Sequence, residues 1–295
     1  SDRSFLLLGM ALDRYDRRAN RWQLSIGDRE SDPVMALGRT QTTAFVPESY
    51  EPALVVTQEI TLRSDTQNVL FSVFPPLALS STHMEAVTFN PRDQVMRSGS
   101  STAGSVQYTL AGEYTPRRIQ QSLLEAYGAR YRPILRSARP DQPPHRQYRY
   151  ARQPVLGDDR IRRYAQTILN AHDLQRRPRA QHTEQDVQIC RVIERHLQRN
   201  FSYTLEPQRS ATDDDPILAF LFEHQRGHCE FFASAMATLL RSIGIPARVI
   251  TGFGVSEYNA VGGYYVVRQK HAHAWVEAYI TDVGWLCFDP SPPQA

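Results

Sequence analysis

The pattern of apolar residues changes near the middle of the chain. This change limits the fold to one that combines a strand-rich part with a part that holds both helices and strands. Residues 1–115 hold short segments rich in β-branched and aromatic residues, separated by Ser, Gly, Pro and Asp, which predict strands. From residue 158 onward, long segments carry apolar residues at helical spacing, and strand-like segments close the chain. Residues 132–154 are rich in Pro and Arg, which is typical of a linker.

We therefore expect an α+β protein with two domains. The first is a β-rich N-terminal domain that includes the linker and spans residues 1–148, with one amphipathic helix between Pro116 and Gly128. The second spans residues 149–295 and combines helices with strands. Its first predicted helices are DDRIRRYAQTILNAH and TEQDVQICRVIERHLQRNF, and the apolar stripe of the latter places Cys190 in the core.

Composition excludes several functional classes. Of the 295 residues 41% are hydrophobic and 22% are charged, which is enough apolar sequence for a packed core. A net charge of +3 gives no reason to expect a nucleic-acid partner. The 3 cysteines exclude a disulfide-rich scaffold. No segment approaches the roughly 20 apolar residues of a membrane helix. Because the chain begins at Ser1 and ends in SPPQA, it reads as an excised fragment whose targeting segments were cut away.

The segment GHCEFFASAMATLLRSIGIPARVITGF carries the clearest chemical signal. Its apolar residues recur every three or four positions, which predicts a helix from about Cys229 to Ser242 that Gly244 and Pro246 end. Cys229 falls in the first turn, where the unpaired amide groups and the helix dipole favour a thiolate. We expect Gly227 to let the backbone turn tightly into the helix and to leave room for a substrate.

A cysteine nucleophile needs a base, and the base needs an orienting partner. The strand-like segment HAHAWVEAYI offers His271 and His273, and the next strand ends at Asp289. A short turn between the two strands predicts that His273 and Asp289 lie near each other. Alternation along the strand places His273 on a polar face with Glu277, opposite a face that reads as core.

These segments, taken in order, resemble the transglutaminase-like superfamily of papain-fold enzymes. The family patterns are G-x-C-x-x-[FY]-A, R-x-x-G-I-P-A-R, H-A-W-x-E and G-W-x-x-x-D-P. The segments of this chain that are similar to them are, in the same order, GHCEFFA, RSIGIPAR, HAWVE and GWLCFDP. The resemblance implies a catalytic helix packed on an antiparallel sheet. It assigns Cys229 as the nucleophile, with His273 and Asp289 completing a catalytic triad. Glu277 matches a non-catalytic glutamate, and Cys287 has no catalytic counterpart, so we expect it to be structural.

The implied activity is that of a transglutaminase. Such an enzyme forms a thioester from the glutamine carboxamide of a protein or peptide and transfers the acyl group to an amine, without a cofactor. The oxyanion needs fixed donors; the candidates are the backbone amide of Cys229 and the side chains of Tyr203 and Gln225. A cysteine protease or amidase on the same fold remains an alternative, and so does a non-catalytic envelope binding module. Lys270 is the only lysine among 34 basic residues, so self-crosslinking would be limited.

The first half carries a second resemblance. LDRYDRRANRW is similar to the L-x-x-Y-D-G-x-x-W segment that precedes the transglutaminase domain of bacterial membrane-anchored enzymes of the TgpA type. Arg17 stands where the pattern has glycine, and Trp22 is displaced by extra residues. This resemblance implies a periplasmic domain of an inner-membrane protein, held by flanking segments absent from this chain. Cell-envelope components are then among its expected partners.

A metal site is the remaining alternative from the residues themselves. His224, His228 and Cys229 stand close together, with His271 and His273 downstream, and zinc takes such ligands. No second nearby cysteine or carboxylate pair completes a typical set, so we predict no metal. The acidic run in ATDDDP, residues 213–215, predicts a solvated cap before the helix DPILAFLFEH rather than a calcium site.

Overall fold

The computed structural model describes residues 5–23, 43–44, 55–63, 68–72, 76–81, 84, 87–90, 95–99, 105–113, 151, 153–175, 183–206, 215–280 and 284–292. The helix predicted between Pro116 and Gly128, most of the linker, and Asp213 and Asp214 lie outside the described residues. Among the described residues, no helix is both long enough and apolar enough to cross a membrane.

The protein is a mixed α/β structure, which confirms the predicted fold class. The helices are α1 Asp159–Asn170, α2 Thr183–Asn200, α3 Pro216–Ala219 and α4 Cys229–Ser242. A π-helical turn, Phe220–His224, follows α3, and a 3₁₀ turn, Gln269–His271, precedes β16. The strands are β1 Phe5–Leu12, β2 Arg14–Asp16, β3 Arg21–Gln23, β4 Thr43–Ala44, β5 Val55–Leu62, β6 Val69–Leu70, β7 Pro76–Ser80, β8 Val87–Asn90, β9 Val95–Ser98, β10 Val106–Glu113, β11 Ser202–Tyr203, β12 Arg226–Gly227, β13 Ala247–Val255, β14 Tyr258–Asn259, β15 Tyr264–Tyr265, β16 Ala272–Ile280 and β17 Gly284–Phe288.

An antiparallel sheet in the order β1-β13-β16-β17 forms the frame of the second half. Helix α4 packs on β16 and β13, and α1 and α2 pack against α4. The core between them is apolar, and its fully buried members include Phe232, Met236 and Leu239 of α4. Each such side chain stabilises the fold by roughly 1.5–3 kcal/mol through removal from water. Helix α4 is therefore held rigidly with its first residue at one edge of the sheet.

Strand β1 comes from the beginning of the chain but lies in this C-terminal sheet. It pairs antiparallel with β13, with a bulge between Leu8 and Met10. The pairing requires glycine at position 252, because a Cβ atom there would lie 2.0 Å from the carbonyl oxygen of Leu7. The domain boundary near residue 148 stays a prediction; the structure adds that the first eight-residue strand completes the sheet of the second half.

The remaining strands of the first half form smaller antiparallel sheets, in the orders β4-β7-β10-β5 and β6-β9-β8. Their buried side chains form a separate apolar cluster: Leu70, Leu79, Met84, Val87, Phe89, Met96, Val106, Tyr108 and Leu110. An isolated bridge between Leu8 and Ser72 links β1 to this region. The β-rich character predicted for the first half agrees with these described strands.

Two strand predictions need correction. Among the strand-like segments predicted to close the chain is GYYVVRQ, of which only Tyr264–Tyr265 is a strand. The face of β16 that was predicted to be polar is buried, since Trp275 is 1% exposed and Glu277 is 0% exposed. Trp275 packs with Leu8 and other apolar residues near β1, a contact that local alternation does not reveal.

Candidate active site

Cys229 is the first residue of α4, as predicted, and His228 is the N-cap. Strand β12 lies just before the helix and pairs in parallel with β11. The left-handed turn lies at Gln225, whose φ is 49°, and not at Gly227. Glycine is needed at position 227 for another reason: a Cβ atom there would lie 2.9 Å from the ring of Phe231. The first amide groups of α4, including that of Cys229, have no partner inside the helix.

His273 and Asp289 lie beside each other at the same edge of the sheet. His273 is the second residue of β16, and Asp289 directly follows β17, which pairs with β16. Nε2 of His273 lies 2.8 Å from Oδ2 of Asp289. The hairpin thus brings together the two residues that the sequence placed near each other. Because Nε2 is engaged, Nδ1 is the ring nitrogen left to face the thiol.

Cys229 and His273 interact electrostatically, and each shifts the pKa of the other. Burial raises the pKa of the Cys229 thiol, but hydrogen bonds from His228 and His273, the charge of His273 and the backbone N–H of Ala274 outweigh burial, and the pKa falls to about 6. Burial lowers the pKa of His273, but Asp289 and Cys229 outweigh it and raise the pKa to about 10. At a pH between about 6 and about 10, Cys229 is therefore favoured as a thiolate and His273 as an imidazolium.

Asp289 is fixed from its backbone by α2. The N–H of Asp289 donates to Oε1 of Glu194 at 2.7 Å, and its carbonyl accepts from Nε2 of Gln198 at 2.7 Å. The N–H of Ser291 donates to Oδ1 of Asp289 at 3.1 Å, which leaves Oδ2 for His273. Sequence reasoning missed Glu194 and Gln198. Their four-residue spacing puts them on one helix face, but α2 carries many polar residues and nothing local singles these two out.

His228 is the second side chain on the thiol. It directly precedes Cys229, and its ring lies edge-on to the ring of Phe231 with 4.8 Å between the ring centroids. Interaction with Cys229 raises the pKa of His228 although burial opposes the shift, and Glu230 adds to it. The sequence suggested His228 only as a metal ligand. Its position directly before a helix-initial cysteine is the signal that could have assigned it to the thiol.

We predict that His228→Ala moves the pH profile of Cys229 alkylation to higher pH. The thiolate is the reactive form, so in the unsubstituted chain the rate rises as pH passes about 6. A hydrogen bond to a charged group contributes about 1.5–3 kcal/mol, or roughly one pKa unit or more. Iodoacetamide labelling between pH 4 and 9 measures the shift, with His271→Ala as the matched control. A profile that does not move would show that His228 does not stabilise the thiolate.

A comparison with known proteins matches this part of the chain to a family. The model of the transglutaminase-like superfamily matches residues 175–290, a segment that holds Cys229, His273 and Asp289. The chain contains a transglutaminase-like domain. This domain begins between α1 and α2 and ends just after β17, so it covers the helix and the sheet that carry the three residues.

Two proteins of similar sequence support this family assignment. A protein-glutamine gamma-glutamyltransferase of Pseudomonas aeruginosa is 36% identical over 148 residues, which is 50% of this chain and 20% of that protein. The uncharacterized protein YebA of Bacillus subtilis is 40% identical over 108 residues, or 34% of this chain and 14% of that protein. The chain thus spans a fifth or less of the length of these two relatives.

Solved structures confirm the fold over nearly the whole chain. Two crystal structures of the periplasmic domain of TgpA from Pseudomonas aeruginosa match with TM-scores of 0.63 and 0.62 and 23% identity, and the second of these was bound to ethylmercury. Each match covers 96% of this chain and 81% or 82% of the TgpA chain. The transglutaminase-like domain and the β-rich region before it therefore share their architecture with that periplasmic domain.

The segment LDRYDRRANRW docks on the helix that carries Cys229. Nε1 of Trp22 donates to Oγ of Ser234 in α4 at 2.9 Å, and the guanidinium of Arg241 lies 4.9 Å from the Trp22 ring. The hydroxyl of Tyr15 donates to Oδ1 of Asp215 at 3.2 Å. The hairpin β2–β3 thus contacts α4 and the residue that caps α3.

The glutamate and arginine of the family motifs form a buried ion pair in the sheet. Nε and Nη2 of Arg248 lie 2.8 and 2.7 Å from Oε2 of Glu277. The guanidinium stacks over the ring of Trp285 at 4.1 Å. The thiol of Cys287 lies 3.7 Å from Oε1 of Glu277, which supports the structural role expected for Cys287. The pair ties β13, β16 and β17 together behind the site.

The other residues named from the sequence lie as follows. His271 turns towards Arg268 and Glu257: its Nδ1 accepts from the N–H of Arg268 at 3.2 Å. Cys190 is fully buried in the core, as predicted. The carboxylate of Asp215 caps α3 by accepting from the N–H of Ile217 at 2.9 Å, which confirms the cap at that position.

Tyr203 and Gln225, the candidate oxyanion donors, are both near the start of α4. Tyr203 is half-buried, stacks on Phe232 at 6.3 Å and pairs with Gly227 through the β11–β12 ladder. Gln225 is exposed in the left-handed turn. Their role in binding an oxyanion stays a prediction. Within the described ranges, no group of three or more His, Cys, Asp or Glu side chains is arranged to hold a metal ion.

Proposed function

We propose that this chain is the catalytic part of a protein-glutamine acyltransferase that uses Cys229, His273 and Asp289. The observation that carries the proposal is the arrangement at the start of α4: Cys229 is the first residue of the helix, His273 helps to lower the pKa of its thiol to about 6, and Nε2 of His273 lies 2.8 Å from Oδ2 of Asp289. This arrangement combines an activated nucleophile, a base and an orienting group. The 36% identity to a protein-glutamine gamma-glutamyltransferase supports the choice of reaction.

The reaction runs in two halves. The Cys229 thiolate attacks the carboxamide carbon of a glutamine side chain, and the tetrahedral oxyanion is held by the Cys229 amide together with Tyr203 or Gln225. Protonated His273 gives its Nδ1 proton to the departing ammonia as the C–N bond breaks, leaving a thioester. An amine then attacks the thioester carbon, neutral His273 takes the amine proton, and the thiolate leaves. Asp289 holds the ring in the required tautomer throughout.

The setting we propose is the periplasm. The matching TgpA chain is a periplasmic domain, and the chain spans only a fifth of its P. aeruginosa relative. We place this chain as the periplasmic domain of an inner-membrane protein, held there by segments that flank it. Its donors and acceptors are then proteins, peptides or amines of the cell envelope.

The test is Cys229-dependent transfer of a labelled primary amine to a glutamine-rich protein. We expect the unsubstituted chain to incorporate the amine and to release ammonia, and Cys229→Ala to lose all transfer because no thioester can form. Cys287→Ala and Cys190→Ala are the matched controls and should retain most activity. Equal losses from all three substitutions would mean that the nucleophile is misassigned.

The same reaction tubes separate the alternatives. Ammonia release without amine incorporation would indicate an amidase, because water would then take the acyl group. New peptide termini that depend on Cys229 would indicate a cysteine protease, since the same nucleophile and base can attack a backbone carbonyl. No reaction with any of these substrates would favour a non-catalytic envelope binding module over the proposed enzyme.

A further inference from the structure

Exposed apolar side chains are concentrated in one segment of the described chain. Among the described residues, the large apolar side chains that are exposed are Val55, Leu205, Tyr258, Val261, Tyr264 and Val267. All but Val55 and Leu205 lie in residues 256–271, the segment that connects β13 to β16. Val261 is fully exposed at 101%, and Tyr264 is 54% exposed. Four exposed apolar side chains within residues 258–267 make this segment a candidate interaction surface, because exposed apolar patches mark interaction sites.

This segment, which we call the connecting hairpin, starts and ends beside His273. Gly252 of β13 is the pairing partner of His273, and the next pair, Phe253 with Ala272, is the last before the two strands separate. The hairpin therefore projects from the sheet edge that holds the base. Its base is therefore next to the edge of the sheet at which His273 and Asp289 meet.

Leu205 provides a further exposed apolar side chain, on the Cys229 side of the site. It is 77% exposed and follows β11. The ladder pairs Tyr203 with Gly227, and the N–H of Thr204 donates to the carbonyl of Gly227 at 2.9 Å. Gly227 lies two residues before Cys229. Exposed apolar groups thus stand on the Cys229 side and on the His273 side of the site.

The connecting hairpin is ordered by its own hydrogen bonds. The N–H of Gly263 donates to the carbonyl of Asn259 at 2.9 Å, and the side chain of Asn259 accepts from the N–H groups of Val261 and Gly262. At its base, Glu257 pairs with Arg268. Because the backbone is preorganised, the exposed side chains can bind a partner without a large loss of conformational entropy.

We propose that the connecting hairpin is the docking surface for the polypeptide acyl donor, and that it binds apolar residues flanking the reactive glutamine. The inference rests on the proposed function, because an acyl donor for Cys229 is what would bring a polypeptide to this edge of the sheet. Selectivity then comes from apolar residues beside the glutamine, since the carboxamide itself is common to every donor. A small donor that contains only the glutamine would not use this surface.

The test compares two donors and two variants. The donors are a peptide with one glutamine flanked by leucine and phenylalanine, and N-protected glutaminylglycine. The double variant is Val261→Ser with Tyr264→Ser, and the matched control is Val55→Ser on β5, far along the chain. We expect the ratio of kcat/KM for the peptide to kcat/KM for the small donor to fall about tenfold in the double variant, through KM, and to stay unchanged in the control. An unchanged ratio in the double variant would overturn the proposal.

A binding measurement separates this inference from the proposed function. If the unsubstituted chain turns over neither donor, the proposed function fails. Docking is then measured separately, as the affinity of the Cys229→Ala variant for the same peptide labelled with a fluorophore. We expect Kd to rise about tenfold when the double substitution is added; no measurable binding, or an unchanged Kd, would overturn the docking surface. Concentration-dependent dimers that the double substitution abolishes would assign the hairpin to a second copy of this chain instead.

Discussion

His273→Ala is expected to lower Cys229-dependent amine transfer by roughly 10²–10⁴-fold, the contribution that a positioned general acid and base makes to catalysis. Two effects combine. The departing ammonia loses its proton donor, and the thiol loses the hydrogen bond and the charge of His273 that help to hold its pKa at about 6. The remaining activation would come from the start of α4, His228 and the N–H of Ala274.

The measurement pairs steady-state transfer with alkylation of Cys229 across pH. The substitution should raise the pH at which alkylation sets in and slow labelling near neutral pH, because less thiolate is present there. His271→Ala is the matched control: it lies on the same segment, but its ring faces Arg268 and Glu257. Full activity in His273→Ala would exclude His273 as the base, whereas an unchanged alkylation rate would make the helix start and His228 the main sources of activation.

Glu277→Gln is expected to destabilise the protein by roughly 3–5 kcal/mol, the cost of removing one partner of a buried ion pair. The side chain of Glu277 is 0% exposed and that of Arg248 is 4% exposed. Water therefore cannot solvate the guanidinium once the carboxylate is removed. The guanidinium would remain buried against Trp285 without its counter-ion. Since the pair ties together the strands that carry His273 and Asp289, activity should fall as the structure is lost.

Denaturant unfolding followed by circular dichroism measures this effect. Glu257→Gln is the matched control, because Glu257 also pairs with an arginine but is exposed, and screening by water makes its loss small. The double variant Arg248→Met with Glu277→Leu should recover most of the lost stability, because it leaves no charge unpaired in the core. An unfolding midpoint for Glu277→Gln equal to that of the unsubstituted chain would contradict a stabilising role for the pair.

The arrangement around Asp289 suggests how the domain keeps its geometry. Glu194 and Gln198 of α2 hold the backbone of Asp289, while Trp22 and Ser234 connect the hairpin β2–β3 to α4. Cys229, His273 and Asp289 are thus carried by separate elements, and α4 and the backbone of Asp289 are each held by a distant part of the chain. A reacting group has to be held to within a fraction of an ångström, and side-chain hydrogen bonds of this kind provide that precision.

The sequence by itself determined the local features of this protein. It predicted α4 with Cys229 in its first turn, the end of the helix at Gly244, and the approach of His273 to Asp289 across a hairpin. These succeeded because helical periodicity, helix-ending residues and a short turn are encoded within a few residues of one another. The family motifs lie in the same local segments, which is why they pointed to the transglutaminase-like domain.

Only the tertiary structure decided the features that join distant segments. Local alternation made the Glu277 face of β16 polar, whereas Arg248 of β13 and Trp275 bury it. Strand β1 entered the C-terminal sheet because Gly252 leaves room for its backbone. His228 on the thiol and Glu194 on Asp289 likewise depend on how α4, α2 and the sheet pack. Burial and long-range hydrogen bonds depend on which helices and strands pack together. The residue pattern of one segment does not reveal which other element it will pack against.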